Sequence, residues 1–133
     1  MKFETANWAN LPGPGAMKLP SNLFGLITAR GMALGALASP PAKVAHTCMP
    51  VHMEETLNVE LPATLKVRVP DNVSFANPVA RYEARYELKG TLLTATRTVT
   101  TLYAHANCPP EDVNAFREVA EVMRRDTAAQ LLY

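Results

Sequence analysis

Five residues of this chain, His46, Cys48, His52, His105 and Cys108, have the chemistry to bind a metal, and the two cysteines could also form a disulfide or attack an electrophile. They form two clusters, H-x-C-x3-H over 46–52 and H-x2-C over 105–108. Zinc needs four ligands converging at about 2.0 to 2.3 Å, and neither spacing is that of a finger or a ribbon. Two cysteines with no CxxC pair are too few for a disulfide framework. Three readings stay open, in this order: free cysteines beside surface histidines, a Cys48 to Cys108 disulfide, and a zinc site drawn from all five residues. The disulfide would close a loop of about sixty residues and contribute about 4 kcal/mol. Cys48 is a poor nucleophile candidate, because such cysteines sit at helix N-termini whereas Cys48-Met49-Pro50 lies in a proline-broken loop. There is no Ser-centred elbow, P-loop, GxGxxG, HExxH or EF-hand pattern, so no catalytic residue and no cofactor is expected.

The elements that would position these residues are mostly strands. Over 79–88, Ala80, Tyr82, Ala84, Tyr86 and Leu88 alternate with Arg81, Glu83, Arg85 and Glu87, the period of a strand with one wet face. Residues 92–103 are rich in Thr, Val and Leu, and a two-residue turn at Lys89-Gly90 makes the pair a hairpin. That turn predicts Tyr86 opposite Leu93, Ala84 opposite Ala95, Tyr82 opposite Arg97 and Ala80 opposite Val99. Tyr82 and Tyr86 between alanines suit packing beneath a helix. Arg97 does not fit the apolar face it shares with them. It would lie across Tyr82 toward solvent, pair with a helix acid such as Glu121, or bind a partner's carboxylate. With Arg81 and Arg85 it makes the candidate interaction set.

A second hairpin is expected from 57–61 and 65–69 around Pro62-Ala63, then a short strand at 73–75. Pro109-Pro110-Glu111-Asp112 opens a helix over 110–125 with Val113, Phe116, Val119, Ala120 and Met123 on its apolar side. Residues 129–132 read as a final strand. Residues 1–50 hold six of the eleven prolines and five of the six glycines, an irregular segment with one weak helix at 23–37. Residues 23–38 also have the look of a signal sequence, but Arg30 in their middle and the sixteen residues before Met17 argue against export.

Composition supplies further limits. A formal charge of +1 gives no electrostatic case for nucleic acid, and no run of eighteen uncharged apolar residues predicts a membrane span. At 133 residues the chain has room for one core.

Residues 53–133 resemble the C-terminal β-rich accessory domain of large bacterial proteins that carry a β-sandwich of unknown function and a transglutaminase-like core. The pieces that carry the resemblance are Glu55-Thr56-Leu57-Asn58-Val59-Glu60-Leu61-Pro62, Val69-Pro70-Asp71-Asn72-Val73-Ser74 and Asn77-Pro78-Val79-Ala80-Arg81-Tyr82-Glu83. Further on come 93–98 with Arg97, Pro109-Pro110-Glu111-Asp112 and Arg125-Asp126-Thr127-Ala128-Ala129-Gln130. The catalytic Cys-His-Asp core of those proteins has no counterpart here. The resemblance implies an accessory, partner-docking role without catalysis, in a periplasmic or cell-envelope setting; a free-standing chain without an export signal would be cytoplasmic.

The expected fold is therefore mainly β (α+β): an antiparallel sheet or partial β-sandwich at 51–133 covered by one C-terminal helix, after an irregular 1–50. The expected function is a non-enzymatic accessory or protein-interaction domain that meets a protein partner, or a second copy of itself, through a sheet edge. The alternative is a small metal- or ligand-binding protein using the clusters at 46–52 and 105–108.

Overall fold

The computed structural model describes residues 14–20 and 28–133. Its centre is a hairpin of two ten-residue strands, numbered here with the other elements in chain order. They are β1 (Ala16–Lys18), α1 (Ala29–Ala38), β2 (His46–Thr47), β3 (His52–Glu60), β4 (Val73–Ala76), β5 (Ala80–Lys89), β6 (Leu92–Thr101), β7 (Asn107–Cys108), α2 (Pro110–Thr127) and β8 (Gln130–Leu132). The main sheet is antiparallel throughout, in the order β3-β6-β5-β4, and two short antiparallel ribbons, β1 with β8 and β2 with β7, flank it.

The β5-β6 hairpin keeps the predicted faces but shifts the predicted register by two residues. Its loop is Gly90-Thr91, so Tyr86 faces Ala95, Ala84 faces Arg97 and Tyr82 faces Val99. Gly90 has φ 61°, the left-handed value that the first position of a primed two-residue turn demands; glycine adopts it without strain, whereas a primed turn at Lys89-Gly90 would ask it of Lys89. The turn therefore forms after Lys89. A slip of two preserves which side chains face inward, so Arg97 stays on the apolar face, opposite Ala84 rather than Tyr82.

The expected second hairpin does not form. β3 pairs with β6, where Leu57 and Val59 meet Ala95 and Leu93 on the apolar side, and the chain then crosses from one sheet edge to the other. Within that crossing Leu65, Val67 and Val69 pack on the core, and Arg68 makes a lone bridge to Leu132. The alternation of 65–69 thus records one buried side of a crossing segment, not a strand of the main sheet.

One sheet face is buried and the other wet. Ala80, Tyr82, Ala84 and Tyr86 of β5 and Leu93, Ala95, Arg97 and Val99 of β6 are buried under the helices, while Arg81, Arg85 and Lys89 lie exposed on or beside the opposite face. The cover is mainly helical, the α+β arrangement expected, and Met17 of β1 and Leu131 of β8 join the same core.

α2 runs two residues beyond the predicted 110–125 and buries Val119, Ala120 and Met123. Its first turn carries Glu111 and Asp112 and its last turn Arg124 and Arg125, charges of the sign each end of the helix dipole favours. Asn77 ties this helix to the sheet. Its Nδ2 donates to the Ala115 carbonyl at 2.8 Å, while its Oδ1 accepts from the amides of Val79 and Ala80.

The N-terminal third contributes to the same core. Of the expected helix at 23–37, residues 23–27 lie outside the described residues, and the helix observed begins at Ala29. Thr28 sets that start, its hydroxyl accepting from the Gly31 amide at 2.9 Å. Ala29 and Ala33 are fully buried, and Leu19 and Leu131 join them in one cluster with the sheet. Small residues let α1 approach closely. Its last turn is held by Arg117, whose Nη1 donates to the carbonyls of Ala36 (2.7 Å) and Ser39 (2.5 Å).

Candidate functional site

The densest cluster of ionisable groups lies under the middle of the sheet. Arg97 of β6 donates from Nη1 to Glu55 Oε1 of β3 at 2.8 Å and from Nε to Asp126 Oδ2 of α2 at 3.2 Å. Asp126 also accepts from the hydroxyls of Tyr82 (2.6 Å) and Tyr86 (2.9 Å), and Arg97 Nη2 donates to the Tyr86 oxygen at 3.2 Å. The guanidinium carbon lies 5.7 Å from the Tyr86 ring centroid. The second Glu55 oxygen accepts a long bond, 3.4 Å, from the Ala29 amide in the first turn of α1. Two carboxylates thus share one guanidinium, and the excess negative charge is met by two hydroxyls and the positive end of a helix.

Burial moves these groups in the expected directions. Desolvation pushes the Tyr86 hydroxyl up to about 12, with the Asp126 charge adding to it and Arg97 opposing. Tyr82 is raised further, again first by burial and then by its bond to Asp126. Burial works against the charge on Arg97, but the bonds to Glu55 and Tyr86 more than offset it, and its proton is held more tightly than usual.

Arg97 is 2% exposed, Asp126 5% and Glu55 8%, and no buried side-chain nitrogen or oxygen among the described residues lacks a partner. Every nitrogen and oxygen of the cluster's side chains already has a partner inside the domain. Its effect is mechanical: it locks β3, β5, β6 and α2 together and reaches the first turn of α1. Arg97 therefore leaves the interaction set proposed from sequence, because its guanidinium is consumed inside the domain. It bonds Glu55 and Asp126 in place of the predicted Glu121, which bonds Arg124 on the surface. Arg81 and Arg85 stay on the exposed face, Arg85 beside Glu83 at 3.6 Å.

Sequence reasoning missed Glu55 and Asp126. Both were marked by position: Glu55 alternates in phase with Leu57 and Val59, and Asp126 follows Met123 by three on the apolar side of α2. Three charges in apolar registers, one basic and two acidic, belong together.

The five metal-type residues gather only in part. Cys48 and Cys108 are joined as a disulfide with Cα atoms 5.8 Å apart, next to the β2-β7 pairing that sets His46 opposite Cys108. That bond removes both thiolates from any ligand set. His52 engages Thr100 Oγ1 at 2.9 Å, and among the described residues no group of three or more His, Cys, Asp and Glu side chains could hold a metal ion. The disulfide instead forms part of the wall of an apolar groove of about 410 Å³ between α1 and α2, lined by Met32, Ala36, Val51, Tyr103, Val113 and Phe116 among others. Burial and the nearby Asp112 charge raise the Tyr103 hydroxyl there.

The other exposed feature with unused bonding capacity is the sheet edge. Thr101 donates its amide to the Val51 carbonyl (2.9 Å), and the Leu61 amide donates to the Thr91 carbonyl (2.8 Å). These bonds flank β3 and set its phase: odd-numbered residues turn their N–H and C=O toward β6. The even-numbered residues, His52, Glu54, Thr56, Asn58 and Glu60, therefore point theirs outward. Among the described residues no strand pairs with that side of β3. The opposite edge differs, since β4 has only four residues and lies between Pro70 and Pro78. β3 has nine residues and contains no proline, glycine or lysine. Its inward-pointing Glu55 would oppose edge pairing if left bare, but Arg97 pairs with it at 2.8 Å.

No family model matches the chain, and neither a curated protein nor a solved structure matches it. No helix of the described residues is long and apolar enough to cross a membrane.

Proposed function

We propose that this domain is a protein-interaction module whose working surface is the outer edge of β3, where an extended chain adds as a further strand. The observation that carries the reading is the row of five outward-facing peptide groups on a nine-residue strand without proline, glycine or lysine. Main-chain bonds supply affinity in this mode, and alternate side chains supply selectivity. Wet-face Glu54 and Glu60 favour a strand that does not set acids against them. The half-buried Met53, Leu57 and Val59 on the inner face would gain cover from apolar neighbours. The Glu55-Arg97-Asp126 cluster serves this role by fixing β3 from within, so that the edge is presented as a rigid template. An accessory, docking role is also what the resemblance of 53–133 to the domain beside transglutaminase-like cores implies.

The test is a panel of extended nonapeptides titrated into the labelled protein, with amide shifts as the readout. Perturbation centred on the even-numbered amides of β3, and lost in Thr56→Pro, supports the reading. Proline at 56 removes only an outward N–H, so the β3-β6 bonds survive. Peptides that perturb only the groove lined by Met32 and Phe116, or nothing, refute it.

A further inference from the structure

Resting on that reading, we propose that the extended chain is β3 of a second copy, paired antiparallel about a two-fold axis through Thr56 so that two four-stranded sheets become one of eight. Symmetric pairing of an edge with itself must match outward-facing residues with outward-facing residues. With Thr56 opposite Thr56 of the second copy, His52 faces Glu60 and Glu54 faces Asn58, and all five outward positions of each strand are used.

Neighbouring registers do worse. An axis at Leu57 sets Glu54 against Glu60, an axis at Glu54 sets Glu54 against itself, and one at Glu55 leaves Glu60 unpaired. Like charges directly opposite one another destabilise a pair. The Thr56 axis alone joins full overlap with no glutamate facing a glutamate. On the inner face it sets Met53 against Val59 and Leu57 against Glu55, whose carboxylate is turned to Arg97.

A second, separate feature lies above the same edge. α2 packs over β5 and β4, and α1 over β6. Met32 and Ala36 turn α1 toward the groove it shares with α2, so at 100° per residue Arg30, Leu34 and Leu37 lie on the flank away from α2, on the helix whose Ala29 amide reaches Glu55 of β3. Leu34 is 50% exposed there. In the paired sheet the two copies of α1 flank the axis, and these leucines come together.

Sedimentation equilibrium on the full chain, over a series reaching about 1 mM, should show a monomer-dimer equilibrium. Thr56→Pro removes two central hydrogen bonds per dimer and should weaken it about thirtyfold or more, with the odd-numbered amides of β3 still protected from exchange. Leu34→Glu should weaken it without touching the strand. Thr56→Cys, in a protein whose two native cysteines are already bonded, should cross-link to a covalent dimer under mild oxidation far faster than Asn58→Cys, which the axis holds four residues out of line. A monomer at every concentration, or cross-linking no faster at 56 than at 58, overturns this proposal. If peptides still add at β3 in that case, the edge reading stands with a different partner; if they do not, both fall.

Discussion

Replacing Arg97 with methionine tests the buried cluster most severely. The side chain that remains fills much of the arginine's volume, so the cost is electrostatic. Asp126 keeps the hydroxyls of Tyr82 and Tyr86 at 2.6 and 2.9 Å, whereas Glu55 keeps only the 3.4 Å contact with the Ala29 amide. Removing one partner of a buried pair costs about 3 to 5 kcal/mol, because the other is left charged and unsolvated. With two carboxylates stranded, Arg97→Met should fall in the upper half of that range, about 4 kcal/mol. At this chain length that lowers Tm by roughly 12 to 20 °C. Glu55→Gln keeps an acceptor for Arg97 and leaves the cluster with equal charges, so it should cost no more than about 1 kcal/mol. Urea unfolding followed by circular dichroism measures both, with an unchanged slope showing that the unfolded reference is the same. If Arg97→Met loses less than about 1 kcal/mol, or Glu55→Gln loses as much as Arg97→Met, the buried network does not hold the fold in the way described.

Three other outcomes follow from the same geometry. Tyr86 is raised to about 12 from an unfolded value near 10, so its contribution is complete below about pH 10 and drains away as pH rises toward 12. Absorbance near 295 nm should therefore show Tyr82 and Tyr86 ionising only as the protein unfolds, and a smooth titration of every tyrosine near pH 10 would contradict this. Cutting the Cys48–Cys108 link, which spans 60 residues of sequence, by the double change to serine should cost about 4 kcal/mol on the chain-entropy view; a loss under about 1 kcal/mol by the same urea assay would show that the link is not formed in solution. Asn77→Ala removes one donor bond to α2 and two accepted amides and should destabilise by about 2 kcal/mol, with faster amide exchange at Val79 and Ala80.

The central hairpin and the C-terminal helix were legible because period two and period three to four are written directly in 79–103 and 110–127. The hairpin register was not, since alternation is satisfied equally by a shift of two and the choice rests on which residue takes the left-handed first position of the turn, Gly90 rather than Lys89. The strand partner of β3 was hidden for a related reason. A run such as 57–61 states its faces but not its neighbour, and Pro62-Ala63 offered a nearby partner that the fold does not use. Arg97 announced itself as a misfit, whereas Glu55 and Asp126 each sit in phase with apolar neighbours without standing out in their own segment. Finding them requires comparing charges across elements far apart in sequence, as the 42 residues between Glu55 and Arg97 illustrate.

Residue-resolved amide exchange of β3 at low and high protein concentration tests the edge most directly. The odd-numbered amides of Met53, Glu55, Leu57 and Val59 should be protected at both concentrations, while those of Glu54, Thr56, Asn58 and Glu60 should exchange freely when dilute and become protected when concentrated. Even-numbered amides already protected at the lowest concentration, or open at every concentration and with every peptide, would contradict the role given to this strand.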